Sequence, residues 1–184
     1  MERVKSISRV PTVKRYSEAV GLLEKPGDTV IVTRGVPRSV VMKCPEGCGD
    51  LITLNLDRRS GPAWRVYERR GRLTIFPSVW RANGCEAHFI VWNDRVIWCD
   101  ASEAGSWEDP NLLYSIEQIL PPATEPHRHY EDLAGQLGGV VPWDVLWACQ
   151  ALVRKGVAAS SERGTKFGAA SKPRPSSGRV DTTA

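Results

Sequence analysis

The stretch Cys85-Glu-Ala-His-Phe-Ile-Val-Trp-Asn-Asp-Arg-Val-Ile-Trp-Cys99 decides how this chain is read. Phe89–Trp92 and Arg95–Trp98 are β-branched and aromatic runs, and Asn93-Asp94 between them suits a two-residue hairpin turn. Such a turn sets Trp92 opposite Arg95, then Val91 opposite Val96, Ile90 opposite Ile97 and Phe89 opposite Trp98. His88 then falls opposite Cys99. Directly opposed residues hold their Cβ atoms about 4.5–5.5 Å apart on one face. The open end of this hairpin therefore gathers a histidine and a cysteine, unless a one-residue bulge shifts the count.

Upstream lies a second cluster of the same kind, Cys44-Pro-Glu-Gly-Cys48 followed by Gly49. Two such short clusters, Cys-x3-Cys and Cys-x2-His, supply the ligand set of a tetrahedral structural zinc site. Cys44, Cys48 and Cys85 are the expected ligands, with His88 or Cys99 as the fourth. Gly47 and Gly49 let backbone amides approach the sulfurs. The alternative is an ordinary turn holding two buried thiols.

The flanks read as strands. Thr29–Thr33 and Ser39–Lys43 are β-branched runs, and Leu51–Leu56 alternates with Ile52, Leu54 and Leu56 on one face. Trp64–Glu68 and Leu73–Phe76 flank the charged turn Arg69-Arg70-Gly71-Arg72. Before them, Ser17–Lys25 reads as a short helix with Ser17 as N-cap and Pro26-Gly27 as its stop. After them, Asn111–Leu120, Tyr130–Leu137 and Trp143–Lys155 carry helical apolar spacing. The last two resemble the helix-turn-helix part of a winged-helix domain, without a recognisable β-wing after Gly156, and fit an amphipathic helical hairpin equally well.

The expected fold is α+β: mainly an antiparallel sheet or small sandwich clamped by a zinc site, with a C-terminal helical appendage and a disordered tail. Residues 1–109 form the zinc-clamped β-rich domain, 110–128 a short helix and linker, 129–159 the helical hairpin, and 160–184 a disordered basic tail. The formal charge of +4 is concentrated at the end of the chain. From Arg154 onward there are seven basic and two acidic residues, which leaves the rest of the chain one unit negative. A nucleic-acid-binding core surface is therefore disfavoured, apart from weak attraction through the basic tail. The seven Trp residues mark an aromatic core or an aromatic groove. Five cysteines, an odd number, without a signal-peptide layout or a membrane-length apolar run, point to a reducing cytoplasm rather than a disulfide framework.

Several catalytic patterns are absent. The cluster order does not fit a zinc deaminase, and there is neither a His-Glu-x-x-His signature nor a phosphate-binding loop after a strand. One candidate pair remains. Ser78, in Phe76-Pro77-Ser78-Val79-Trp80, follows a strand and precedes the Cys85–His88 cluster. If His88 is not a metal ligand it could serve as general base for Ser78, with Asp100 or Glu86 orienting it. Serines at strand ends are also common turn residues. His127 and His129 fall in the linker and read as solvated.

Taken in order, KCPEGCG, LTIFPSVW and CEAHFIVWNDRVIWC resemble a bacterial domain family found in operons that encode ubiquitin-like proteins, their activating- and conjugating-enzyme-like partners and JAB-type peptidases. The resemblance spans about Val40 to Cys99. Where the family commonly has an extra cysteine within the first block, this chain carries Glu46. The resemblance implies zinc at Cys44, Cys48 and Cys85, with His88 as a candidate fourth ligand. It also implies a peptidase that processes or removes a ubiquitin-like protein. The competing expectations are a non-catalytic zinc-stabilised adaptor for protein partners and, with least support, a DNA-binding regulator using Trp143–Lys155.

Overall fold

The computed structural model describes residues 3–100 and 109–171. The chain divides into two compact units, 1–105 and 106–184.

The first unit is a two-sheet sandwich. One sheet orders β1 (Ser8–Arg9), β2 (Asp28–Arg34), β3 (Val36–Lys43) and β4 (Leu51–Asn55), with β1 parallel to β2 and the rest antiparallel. The other is wholly antiparallel and orders β5 (Arg65–Arg69), β6 (Arg72–Trp80), β7 (His88–Trp92) and β8 (Arg95–Trp98). Strand alternation sends one side of each sheet inward. Val40, Met42, Ile52 and Leu54 meet Leu73, Ile75, Val79, Phe89, Val91 and Trp98 in one buried core. Phe89 is fully buried there, and truncating such a residue to Ala costs about 3–5 kcal/mol. The far side of the first sheet packs Val30, Val32 and Val41 against Ala19 and Leu23, the latter just past α1 (Tyr16–Val20).

The β7–β8 hairpin has the register read from the sequence, with Phe89 opposite Trp98 and Trp92 opposite Arg95. Asn93 and Asp94 both take positive φ, 51° and 63°, as a tight turn between right-twisted strands requires. Two elements differ from expectation. α1 begins at Tyr16 with Arg15 as N-cap, because Glu18 reaches back to accept the backbone N–H groups of Lys14 and Arg15. β6 runs to Trp80 instead of stopping at Phe76: its register against β7 shifts between Ile75 and Val79, which absorbs Pro77 in a bulge and lets the strand continue. Ser78 therefore lies within a strand, not after one.

The second unit runs α2 (Pro110–Ile119), β9 (Arg128–His129), α3 (Tyr130–Gln136), α4 (Pro142–Arg154), β10 (Ala158–Ser161) and β11 (Lys166–Ala169). The sheet orders β10–β11–β9. This is the element order of a winged helix, with α2 packed on α4 as part of the same body. The disordered tail expected from 160 is corrected over its first segment, and a wing is present. Ser160 and Ser161 pair with Phe167 and Lys166, Glu162 and Arg163 turn the chain at positive φ, and Phe167 is fully buried. Polar composition hid the hairpin because a single aromatic anchors it. The expected tail beyond Ser171 lies outside the described residues. His127 and His129 are structural. His129 Nδ1 accepts the Glu131 N–H at the start of α3, and His127 Nδ1 lies 2.9 Å from Ser161 Oγ. No helix among the described residues is long and apolar enough to cross a membrane.

Candidate active site

Ser78 and His88 meet because the bulge realigns β6 against β7. Beyond it Val79 pairs with Phe89 and Trp80 with His88. Val79 and Phe89 point into the core, so Trp80 and His88 share the outer face, and Ser78, two residues before Trp80, joins them. Ser78 Oγ lies 3.1 Å from His88 Nε2. Both side chains are half-buried. The Trp80 indole packs beside the imidazole at 6.2 Å between ring centroids and is 68% exposed. Trp64 Nε1 donates to the Ser78 carbonyl at 3.3 Å. For Nε2 to accept from the hydroxyl, the ring proton must sit on Nδ1, the tautomer that a general base requires.

Of the two carboxylates considered as orienters, Asp100 has a defined place. The backbone carbonyl of His88 accepts from Cys99 N at 3.0 Å, which brings the next residue, Asp100, to the same end of the sheet. Arg3 Nη1 donates to both Asp100 oxygens, at 3.0 and 2.8 Å. The Arg3 bonds, with a smaller electrostatic contribution from His88, hold the Asp100 carboxyl below its ordinary value. The Arg3 guanidinium also lies over the Trp98 ring at 4.4 Å, and its Nε pairs with Glu46 at 2.8 Å. Glu86 is exposed, two residues before β7 begins, with φ of 55°.

Of the five expected metal ligands, the structure gathers three. The Sγ atoms of Cys44, Cys48 and Cys85 lie within 4.8 Å of one another, Cys44 and Cys85 at 3.6 Å. Tetrahedral zinc with Zn–S bonds of about 2.3 Å sets sulfurs about 3.8 Å apart, and the Cys44–Cys85 separation of 3.6 Å is close to that spacing. The turn between Cys44 and Cys48 closes through Gly47 N to Cys44 O, with Gly47 and Gly49 at φ of 85° and 90°. His88 and Cys99 lie outside this trio: the imidazole Nε2 is engaged with Ser78, and Cys99 is exposed. Burial pushes the Cys44 thiol up to about 12. Burial also acts to raise Cys85, but the Ala87 N–H, the Cys48 and Cys44 thiols and the Arg81 guanidinium outweigh it, and its thiol sits below the ordinary value.

Sequence reading missed Arg81. Its Nη1 lies 3.5 Å from Cys48 Sγ and 3.6 Å from Cys85 Sγ, and it pairs with Asp50 at 2.9 Å. If a divalent ion sat among the three thiolates, the set would carry one net negative charge, and the Arg81 guanidinium, shared with Asp50, would lie against it. Arg3 and Trp80 were missed as well. Each functions through a tertiary neighbour that no local pattern names.

The first unit is a β-sandwich that carries a hydroxyl–imidazole pair on one sheet and a cluster of three thiols that could hold a metal. Residues 16–99 match the family described as bacterial ubiquitination-like system serine protease (BubE). The matched segment contains Ser78, His88 and all three clustered thiols. No curated protein and no solved structure matches the chain.

Proposed function

We propose that the protein is a zinc-stabilised serine peptidase that cleaves a ubiquitin-like protein, either to expose its C-terminus or to release it from a target. The observation that carries this reading is the 3.1 Å contact between Ser78 Oγ and His88 Nε2 on the exposed face of β6 and β7. His88 takes the Ser78 proton as Oγ bonds to the carbonyl carbon of the modifier's last residue. The tetrahedral intermediate collapses with cleavage of the C–N bond, and His88 returns the proton to the leaving amine. Water then attacks the acyl-serine, its proton passing to His88, and the serine is regenerated as the free carboxylate leaves. Asp100, anchored by Arg3, stabilises the imidazolium formed in each half.

Cys44, Cys48 and Cys85 would hold the zinc, whose contribution is to fix the two loops that flank the serine–histidine pair. The match to a ubiquitination-like system supports a ubiquitin-like protein or its conjugating enzymes as partners, and the free thiols suit a cytoplasmic setting. The winged-helix unit is better suited to a protein than to nucleic acid. Residues 109–171 carry seven acidic and five basic side chains, and the only basic residue in α4 is Arg154, at its end.

A fluorophosphonate probe tests the reading. Ser78 should be labelled, as located by peptide mass spectrometry, and labelling should vanish in Ser78→Ala and fall sharply in His88→Gln with folding intact. An unlabelled Ser78 in folded, zinc-loaded protein would sink it.

A further inference from the structure

We propose that the open flank of β6 at Ser78–Trp80 is a strand-addition site for an extended peptide, the C-terminal tail of the ubiquitin-like substrate. This rests on the peptidase reading of Ser78 and His88.

The flank is open because β5 ends early. The β5–β6 ladder stops at Arg65 opposite Phe76, while β6 runs on to Trp80. Where β5 would have continued, the chain crosses to the other sheet: Trp64 N donates to Asn55 O at 2.8 Å, and residues 58–62 are exposed. Residues 77–80 thus have a strand partner on one side only, β7; on the other side the Trp64 indole N–H caps the Ser78 carbonyl, and the N–H and carbonyl of Trp80 have no strand to pair with.

Alternation decides which groups face the gap. Arg81 N donates to Ala87 O, so the pairs Arg81–Ala87 and Val79–Phe89 are the bonded ones on the β7 side. The intervening Trp80 pairs with His88 without ladder bonds, and His88 turns its own carbonyl to Cys99 N. The backbone groups of Ser78 and Trp80 therefore point away from β7. The Trp64 indole confirms the direction, since it reaches the Ser78 carbonyl from that side.

The N–H and carbonyl of Trp80, one donor and one acceptor on the same strand edge, recognise another extended main chain whatever its side chains, and a longer chain also reaches Ser78 by displacing the Trp64 indole from its carbonyl. The flank adjoins the serine hydroxyl, so a chain paired with Trp80 passes one of its carbonyls beside Ser78 Oγ. Trp80, exposed on the same face, offers an apolar plane over which a substrate side chain lies. An enzyme that acts at the end of a modifier needs this kind of grip on the main chain of the tail.

The test uses the full chain carrying Ser78→Ala, which prevents turnover, and a synthetic peptide of the C-terminal tail of the ubiquitin-like protein of the same system. The peptide is N-methylated at one backbone amide at a time. Strand addition predicts a period of two: methylation at alternate amides weakens binding about tenfold or more, and at the intervening ones hardly at all. Trp80→Pro, which removes an N–H from the open side and leaves the β7 ladder intact, should bind more weakly than Trp80→Ala. Absence of peptide binding, or sensitivity without alternation, overturns the proposal. So does a concentration-dependent dimer lost in Trp80→Pro, which would make a second copy the occupant. The methylation series needs no change to the protein flank, so a poorly folded proline variant does not blunt it. If the alternating pattern appears but Ser78 is unlabelled by fluorophosphonate in the parent protein, strand addition stands and the hydrolytic reading falls.

Discussion

Arg3 and Asp100 form a two-pronged ion pair, one guanidinium nitrogen at 3.0 and 2.8 Å from the two carboxylate oxygens, across a sequence separation of 97 residues. The same Arg3 pairs with Glu46 inside the Cys44–Cys48 turn. A single side chain therefore ties the Cys44–Cys48 turn to the carboxylate at the His88 end of the sheet. Exposed ion pairs contribute little to stability, so the expected effect of losing it is on chemistry. Arg3→Met should slow fluorophosphonate labelling of Ser78 about three- to tenfold, with the melting temperature nearly unchanged, and Arg3→Lys should recover part of the rate. Identical labelling rates in all three proteins would count against Asp100 as the orienting group.

The pH dependence of folding has a definite sign. Asp57 is held low by Arg59 and Arg38, Asp50 by Arg81, and Asp100 by Arg3. Folded values below the unfolded ones mean that the contribution is fully present above about pH 4, the unfolded carboxylate range, and is lost as pH falls through the folded values. In the zinc-free Cys48→Ser protein, where no metal is lost on acidification, the melting temperature should therefore hold from neutrality to about pH 4 and drop below it. Asp50 and Asp100 are open to solvent, so added salt should flatten their share of the drop. A melting temperature that rises on acidification would refute the assignment.

Purified protein should carry about one zinc per chain, bound through the three clustered thiols. Cys48→Ser should lose the metal and lower thermal stability. Cys149 is the appropriate control only as Cys149→Ala, because it lies fully buried in α4 and a serine there would bury a hydroxyl at a cost of about 1–3 kcal/mol. Metal analysis with paired melting curves distinguishes the two. Equal zinc in Cys48→Ser and Cys149→Ala would remove the thiol cluster as the metal site.

Local pattern revealed the elements whose logic is local. The Asn93-Asp94 turn fixed the register of Phe89 on Trp98, and the spacing within Cys44–Cys48 and from Cys85 marked the thiols that converge. What stayed hidden depends on long-range partners. Nothing near Arg81 announces Cys48, and nothing near Arg3 announces Asp100. The bulge that carries β6 on to Trp80 compensates for Pro77, so the proline read as the end of a strand that in fact continues. The wing escaped for the opposite reason, since Ser160 to Gly168 lacks any apolar periodicity. Its pairing is set by Phe167 and by the contact of β11 with β9.

The wing provides the last test, because the sequence and the structure make opposite predictions for it. A disordered segment from residue 160 could be removed without effect. In the structure β11 is the central strand of its sheet, bonded to β10 on one side and β9 on the other, and Phe167 is fully buried. Gly168 lies directly beneath His127, and a Cβ there would come within 2.6 Å of the imidazole Cδ2. Ending the chain at Ala159 should therefore abolish the unfolding transition of the second unit while leaving that of the sandwich. Phe167→Ala should destabilise the unit by about 3–5 kcal/mol. Gly168→Ala should also destabilise it, because the imidazole must move and break its contact with Ser161. Calorimetry of the three variants against the parent decides the matter, and an unchanged second transition in the truncated chain would restore the disordered reading.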